Sequence, residues 1–122
     1  METITVKSIY DCNIDKQLIK ELRAYVQPKK HMCHMNASKS MWFANDNNLD
    51  FTYCEGRLYG WLNHCFIKYN NEYFDLTQKK GDSAEAELVY EANYEEWNKE
   101  MSKHIGEWTF YKLLINNKNI IN

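Results

Sequence analysis

Hydrophobic and polar positions change rhythm several times along the chain, and each change marks an element. Ile4 and Val6 alternate with Thr3, Thr5 and Lys7, the period of a short N-terminal strand or extended arm. Asn13 is suited to capping a helix that carries Ile14, Leu18, Leu22 and Tyr25 on one stripe and ends at Pro28. A second helix is predicted over residues 32–45. Cys33, Ala37, Met41 and Ala44 form one of its stripes, while Met32, Met35, Trp42 and Phe43 fall on another side. A helix apolar on more than one face is buried between elements.

The polar run 45–50 reads as a loop. Residues 51–55 read as a strand with Phe51, Tyr53 and Glu55 on one face, ending at Gly56. Residues 57–63, with Gly60 and Trp61, form a loop of the kind that borders a groove. Further on, residues 78–82 are a turn, and 84–92 fit a helix or a strand equally. Asn93 with Glu96 makes a capping box for a helix carrying Tyr94, Trp97 and Met101, which Gly106 breaks. Residues 108–115 read as a last strand and 116–122 as a polar, fraying tail.

Between these lies the stretch with the most chemistry. Cys33 sits at the predicted start of the second helix, where backbone N–H groups and the helix dipole favour a thiolate. From His64 to Thr77 the chain reads as two short strands joined at Asn70 and Asn71, residues that tolerate positive φ. A two-residue turn pairs Tyr69 with Glu72, Lys68 with Tyr73 and Phe66 with Asp75. His64 is then a diagonal neighbour of Asp75 on one face, roughly 7–8 Å away between backbones. A carboxylate on one imidazole nitrogen fixes the tautomer and leaves the other to take a proton from a thiol. One residue more or fewer in the turn would put the two on opposite faces. The bland alternative is that Cys33 is a small buried hydrophobe.

The order of these motifs resembles the transglutaminase-like branch of the papain-like cysteine enzymes. The matching segments are Cys33-His34-Met35-Asn36-Ala37, Tyr53-Cys54-Glu55-Gly56, His64-Cys65-Phe66 and Phe74-Asp75-Leu76-Thr77. Cys65 and Phe66 stand where the family commonly carries Ala and Trp. The resemblance implies a nucleophile at Cys33, a base at His64 and an orienting acid at Asp75. It implies an α+β fold in which a central helix packs on a small antiparallel sheet.

Other residues join this picture with an alternative beside each. Gln27 lies six positions before Cys33, the spacing of an oxyanion-binding Gln in many papain-like enzymes, or is a surface residue before a helix-ending proline. Asn36 either contacts substrate or satisfies a neighbouring backbone group. Glu55 either lines the cleft or is a strand-end charge. Trp61 is a binding contact if exposed and a core plug if not. His31 and His34 point away from the sulfur and are expected to be solvated. A zinc site drawn from His31, Cys33, His34, Cys54, His64 and Cys65 is the weaker rival, because no metal-binding spacing is present. No metal or cofactor is expected.

Composition narrows the setting. At 122 residues, with 44% hydrophobic residues, nine Tyr and four Trp, the chain is one domain with ample core material. A net charge of −2 with mixed signs gives no field for nucleic acid, and no run is long and apolar enough for a membrane. The four cysteines with no secretion signal are expected as thiols in a cytoplasm, that of a host if the protein is viral. Thirteen Lys against two Arg points to an AT-rich genome such as a phage or low-GC bacterium. Two functions follow. One is a small cysteine hydrolase or acyltransferase acting on a protein or peptide through an amide, isopeptide or thioester carbonyl. The other is a non-catalytic binding or inhibitory protein on the same fold, gripping a host protein.

Overall fold

A computed structural model describes residues 2–103. Its strands are β1 (Thr3–Ser8), β2 (Thr52–Leu58), β3 (Leu62–Tyr69), β4 (Glu72–Asp75) and β5 (Ser83–Ala92); its helices are α1 (Lys16–Val26), α2 (Cys33–Asp46) and α3 (Tyr94–Lys103). The strands close into a small barrel in the order β1, β4, β3, β2, β5. The expected antiparallel sheet is therefore corrected in two respects. It has no open edge, and β1 runs parallel to β4 while antiparallel to β5. Closure satisfies strand edges that an open sheet of this size would expose. The expected last strand at 108–115, the break at Gly106 and the tail lie outside the described residues.

Closure gives the strands two buried faces. Ile4, Val6, Cys54, Leu58, Phe66, Ala84 and Ala86 fill the barrel interior. On the outer face, Tyr53, Cys65, Ile67 and Phe74 pack with Leu22 and Val26 of α1, Ala37, Met41 and Ala44 of α2, and Trp97 of α3. The alternation along β2 and β3 assigns neighbours to opposite layers: Tyr53 outside, Cys54 inside; Cys65 outside, Phe66 inside. α2 lies against β3 and β2, so a helix packed on a sheet is what the fold presents, although the sheet is curved shut. No helix among the described residues is long and apolar enough to cross a membrane.

Local chemistry explains the boundaries. α1 is capped by Asp15, whose carboxylate accepts from Leu18 N at 3.1 Å, rather than by Asn13. Asn13 N instead donates to Glu72 at 2.7 Å. The helix accordingly buries Ile19, Leu22 and Val26, and Tyr25 is 47% exposed instead of inward. The 84–92 segment is strand β5, with Ala84 and Ala86 inside the barrel. The capping box forms reciprocally: Glu96 N donates to Asn93 at 2.9 Å and Asn93 N to Glu96 at 3.0 Å.

Candidate active site

The β3–β4 hairpin has the predicted register. Tyr69 opposes Glu72 and Lys68 opposes Tyr73, across Asn70 and Asn71 at φ 51° and 65°. That parity puts His64 and Asp75 on one face, and their side chains meet: His64 Nε2 hydrogen-bonds Asp75 Oδ2. The other carboxylate oxygen accepts from Thr77 N at 2.8 Å and Thr77 Oγ1 at 2.9 Å. Asp75 is thus held by its own turn while it holds the ring. The His64 ring also stacks on Phe66, centroids 6.2 Å apart.

Cys33 arrives from the other layer. Pro28 and a loop with His31 at φ 65° carry the chain from α1 into α2, whose first residue is the cysteine. Met32, the residue before the helix, makes no side-chain cap. The Cys33 side chain lies close enough to the His64 ring and to Cys65 to act on the charge of both. With Nε2 on Asp75, the nitrogen left for the sulfur is Nδ1.

The electrostatics follow from these contacts. Burial pulls the His64 ring down, but the Asp75 hydrogen bond, the Cys33 sulfur and the Asp75 charge outweigh it and hold the imidazolium up to about 9. Burial pushes Asp75 up, and the His64 and Thr77 interactions overcome it, leaving the acid below its ordinary range. The other cysteines are buried and held as thiols. Burial pushes Cys12 up to about 11, and Cys54 and Cys65 well above the ordinary thiol range. Cys33 alone among the four is only partly buried. It opens with His64 onto a cleft of about 430 Å³ whose walls include Lys30, Leu58, Leu62 and Thr77.

Most of the remaining predicted residues fall elsewhere. Gln27 is exposed as the left-handed cap of α1, its N–H on Arg23 O at 2.8 Å, and it does not line the cleft. Asn36 clamps the loop before α2: its amide donates to Lys29 O at 2.8 Å and accepts from Lys29 N at 3.1 Å. Glu55 is fully buried on the outer face, where Tyr53 Oη donates to it at 2.6 Å, and it is neither a cleft wall nor a surface charge. Trp61 is 73% exposed at the β2–β3 tip, next to the cleft residue Leu62. His31 is exposed but lines the cleft with Cys33 instead of facing away from it, and His34 is buried edge-on to Tyr53 at 6.3 Å, correcting the expectation that both are solvated. α2 is covered on the side that faces β2, and that is where His34 points.

Cys65, named in the sequence only as a metal candidate and a family departure, acts on Cys33 from the outer face of β3, and Tyr53 Oη lies 3.2 Å from its Sγ. Thr77 enters the sequence reading only as part of the Phe74–Thr77 motif, although Asp-x-Thr is the spacing at which a carboxylate takes the N–H and hydroxyl two residues on. Among the described residues no group of His, Cys, Asp and Glu is gathered to hold a metal ion. No protein-family model matches the chain, and comparison with curated proteins and with solved structures found no similar protein.

Proposed function

We propose that the chain is a cysteine hydrolase or acyltransferase with a papain-like, transglutaminase-like core, acting on an amide, isopeptide or thioester carbonyl. The observation that carries this reading is the convergence, at one open cleft, of the only partly exposed cysteine with a ring that a buried carboxylate orients. Cys33 and His64 react as a thiolate–imidazolium pair with the proton on Nδ1, and the thiolate attacks the carbonyl carbon. The C–S bond forms as the carbonyl electron pair moves to oxygen, beside the uncapped first turn of α2. The pair returns, the bond to the leaving amine or thiol breaks, and His64 gives that group its proton. Water or an amine then attacks the thioester, His64 takes its proton, and the C–S bond breaks. Asp75 keeps the ring in the tautomer that serves the sulfur.

The test is acylation of the full chain by acyl thioesters and peptide amides, followed by mass spectrometry. The expected result is an acyl adduct on Cys33 that is absent in Cys33→Ser and resolved by water or an added amine. Adducts that persist in Cys33→Ser, or no turnover of any carbonyl substrate with tight capture of a protein partner, would overturn the enzyme reading in favour of a binding protein.

A further inference from the structure

The cleft at Cys33 shares a wall, Lys30 and Thr77, with a second hollow of about 250 Å³. The two differ in chemistry. The catalytic cleft is bounded on the hairpin side by Leu58 and Leu62, which pair across β2 and β3. The second hollow is bounded by Arg23, Lys30 and Lys79, and no carboxylate lines either one among the described residues. The ion pairs of the described residues leave these three cations without an acidic partner. Arg23 is nonetheless fixed. It donates to Leu76 O at 2.6 Å and lies over the Tyr10 ring at 5.3 Å, so its charge is held in place without being neutralised. In the same hollow Gln78 Oε1 is buried and accepts no hydrogen bond among the described residues. On a chain of net charge −2, this is positive charge gathered in a concavity, where field lines are focused toward an anion.

The anchor of Arg23 is the carbonyl between Asp75 and Thr77, so the cationic hollow and the acid that orients His64 are built on one turn. A substrate whose carbonyl sits at Cys33 therefore meets an apolar wall on one flank and a cationic one on the other. Resting on the function proposed above, we propose that the groove selects peptide-like acyl substrates with an acidic group on one side of the scissile carbonyl and an apolar group on the other. The acid lies against Arg23, Lys30 and Lys79, and the apolar group against Leu58 and Leu62.

The test uses the full chain and peptidyl vinyl sulfones extended on both sides of the electrophile. One flank is Leu and the other Glu, Gln or Lys, each made in both orientations. The second-order rate of Cys33 modification is read by mass spectrometry, with iodoacetamide as a small neutral reference. The expected result is modification by the Glu probe about tenfold faster than by the Gln probe, in one orientation only, with the advantage shrinking as salt rises. The double variant Lys30→Glu, Lys79→Glu is expected to turn the preference toward the Lys probe. Equal rates for Glu, Gln and Lys probes would overturn this inference and leave the proposed function standing. Alkylation of Cys33 by iodoacetamide with no modification by any peptide probe would overturn both.

Discussion

Asp75 and Glu55 are both buried carboxylates of one barrel, 8% and 0% exposed, and each is hydrogen-bonded to a titratable side chain. Their partners separate them. Glu55 accepts from the Tyr53 phenol, which burial pushes far above the range in which it would ionise. The proton between those two has nowhere to go. Asp75 faces an imidazole that also touches a sulfur, so the charge it stabilises can change during a reaction. Access separates them too. His64 and Cys33 border the cleft, whereas Tyr53 and Glu55 lie under the helices. A buried acid is thus common to a structural network and to a candidate active site; the difference is an exchangeable partner with an opening beside it.

The largest expected effect breaks that comparison directly. Asp75→Asn should slow acylation at Cys33 by roughly 10²–10⁴-fold, because the ring loses its tautomer and its counter-charge. Glu55→Gln should lose less than about tenfold in rate but about 1–3 kcal/mol in stability, measured by urea unfolding, since a buried hydrogen-bonded carboxyl group is altered. Equal rate losses in the two variants would erase the distinction.

pH sharpens it next. The folded His64 binds its proton more tightly than an ordinary imidazole at 6.5, so its stabilisation is complete below 6.5 and is lost as pH rises through about 9. Asp75 is lowered from 3.8, so its contribution is complete above 3.8 and disappears as pH falls through the depressed value. Stability from this pair should therefore plateau between 3.8 and 6.5, and the alkaline decline should shrink in Asp75→Asn. An unchanged profile in that variant would show that the pair does not titrate as described. The acylation rate should likewise fall above about 9, where His64 can no longer supply a proton to the leaving group.

Gly56 tests the ground between the two carboxylates. It follows Glu55 at an irregularity in the β2–β5 ladder and opposes His64 on β3. A Cβ there would lie 2.6 Å from Glu87 O and 3.2 Å from the Phe66 ring on which His64 stacks. Gly56→Ala should cost about 1–3 kcal/mol by overpacking, and should also reduce the rate, since its neighbour positions the ring. Tyr53→Phe should have the smallest effect, about 1–3 kcal/mol of stability at most, with Cys33 reactivity changed only through Cys65. Thermal unfolding alongside iodoacetamide kinetics would separate the two readouts.

The hairpin was legible because a two-residue turn fixes parity, and parity alone decides which side chains share a face. Cys33 at a helix start was legible from Pro28 and the apolar stripe that follows. Barrel closure was not, because the β1–β4 and β1–β5 pairings join segments with no local signal linking them. β5 was ambiguous since Ala84, Glu85, Ala86 and Glu87 alternate like a strand but are residues that favour helices. The face shared by Phe51, Tyr53 and Glu55 was read from period, yet period does not say what covers a face; helices cover it, and Glu55 is sealed. For Gln27, a six-residue spacing says nothing of direction after a left-handed cap.

The parallel pairing of β1 with β4 bears on how the molecule is made. Lys7 and Glu72 bridge these strands across 65 residues, and Ser8 lies opposite Asp75 in the same ladder. Distant pairings of this kind are slow to form, because a long loop must close before they repay its entropy. A chain emerging during synthesis therefore carries its thiol well before the acid-bearing strand gains its neighbour. Incomplete forms should be chemically silent, so that reactivity reports the finished molecule.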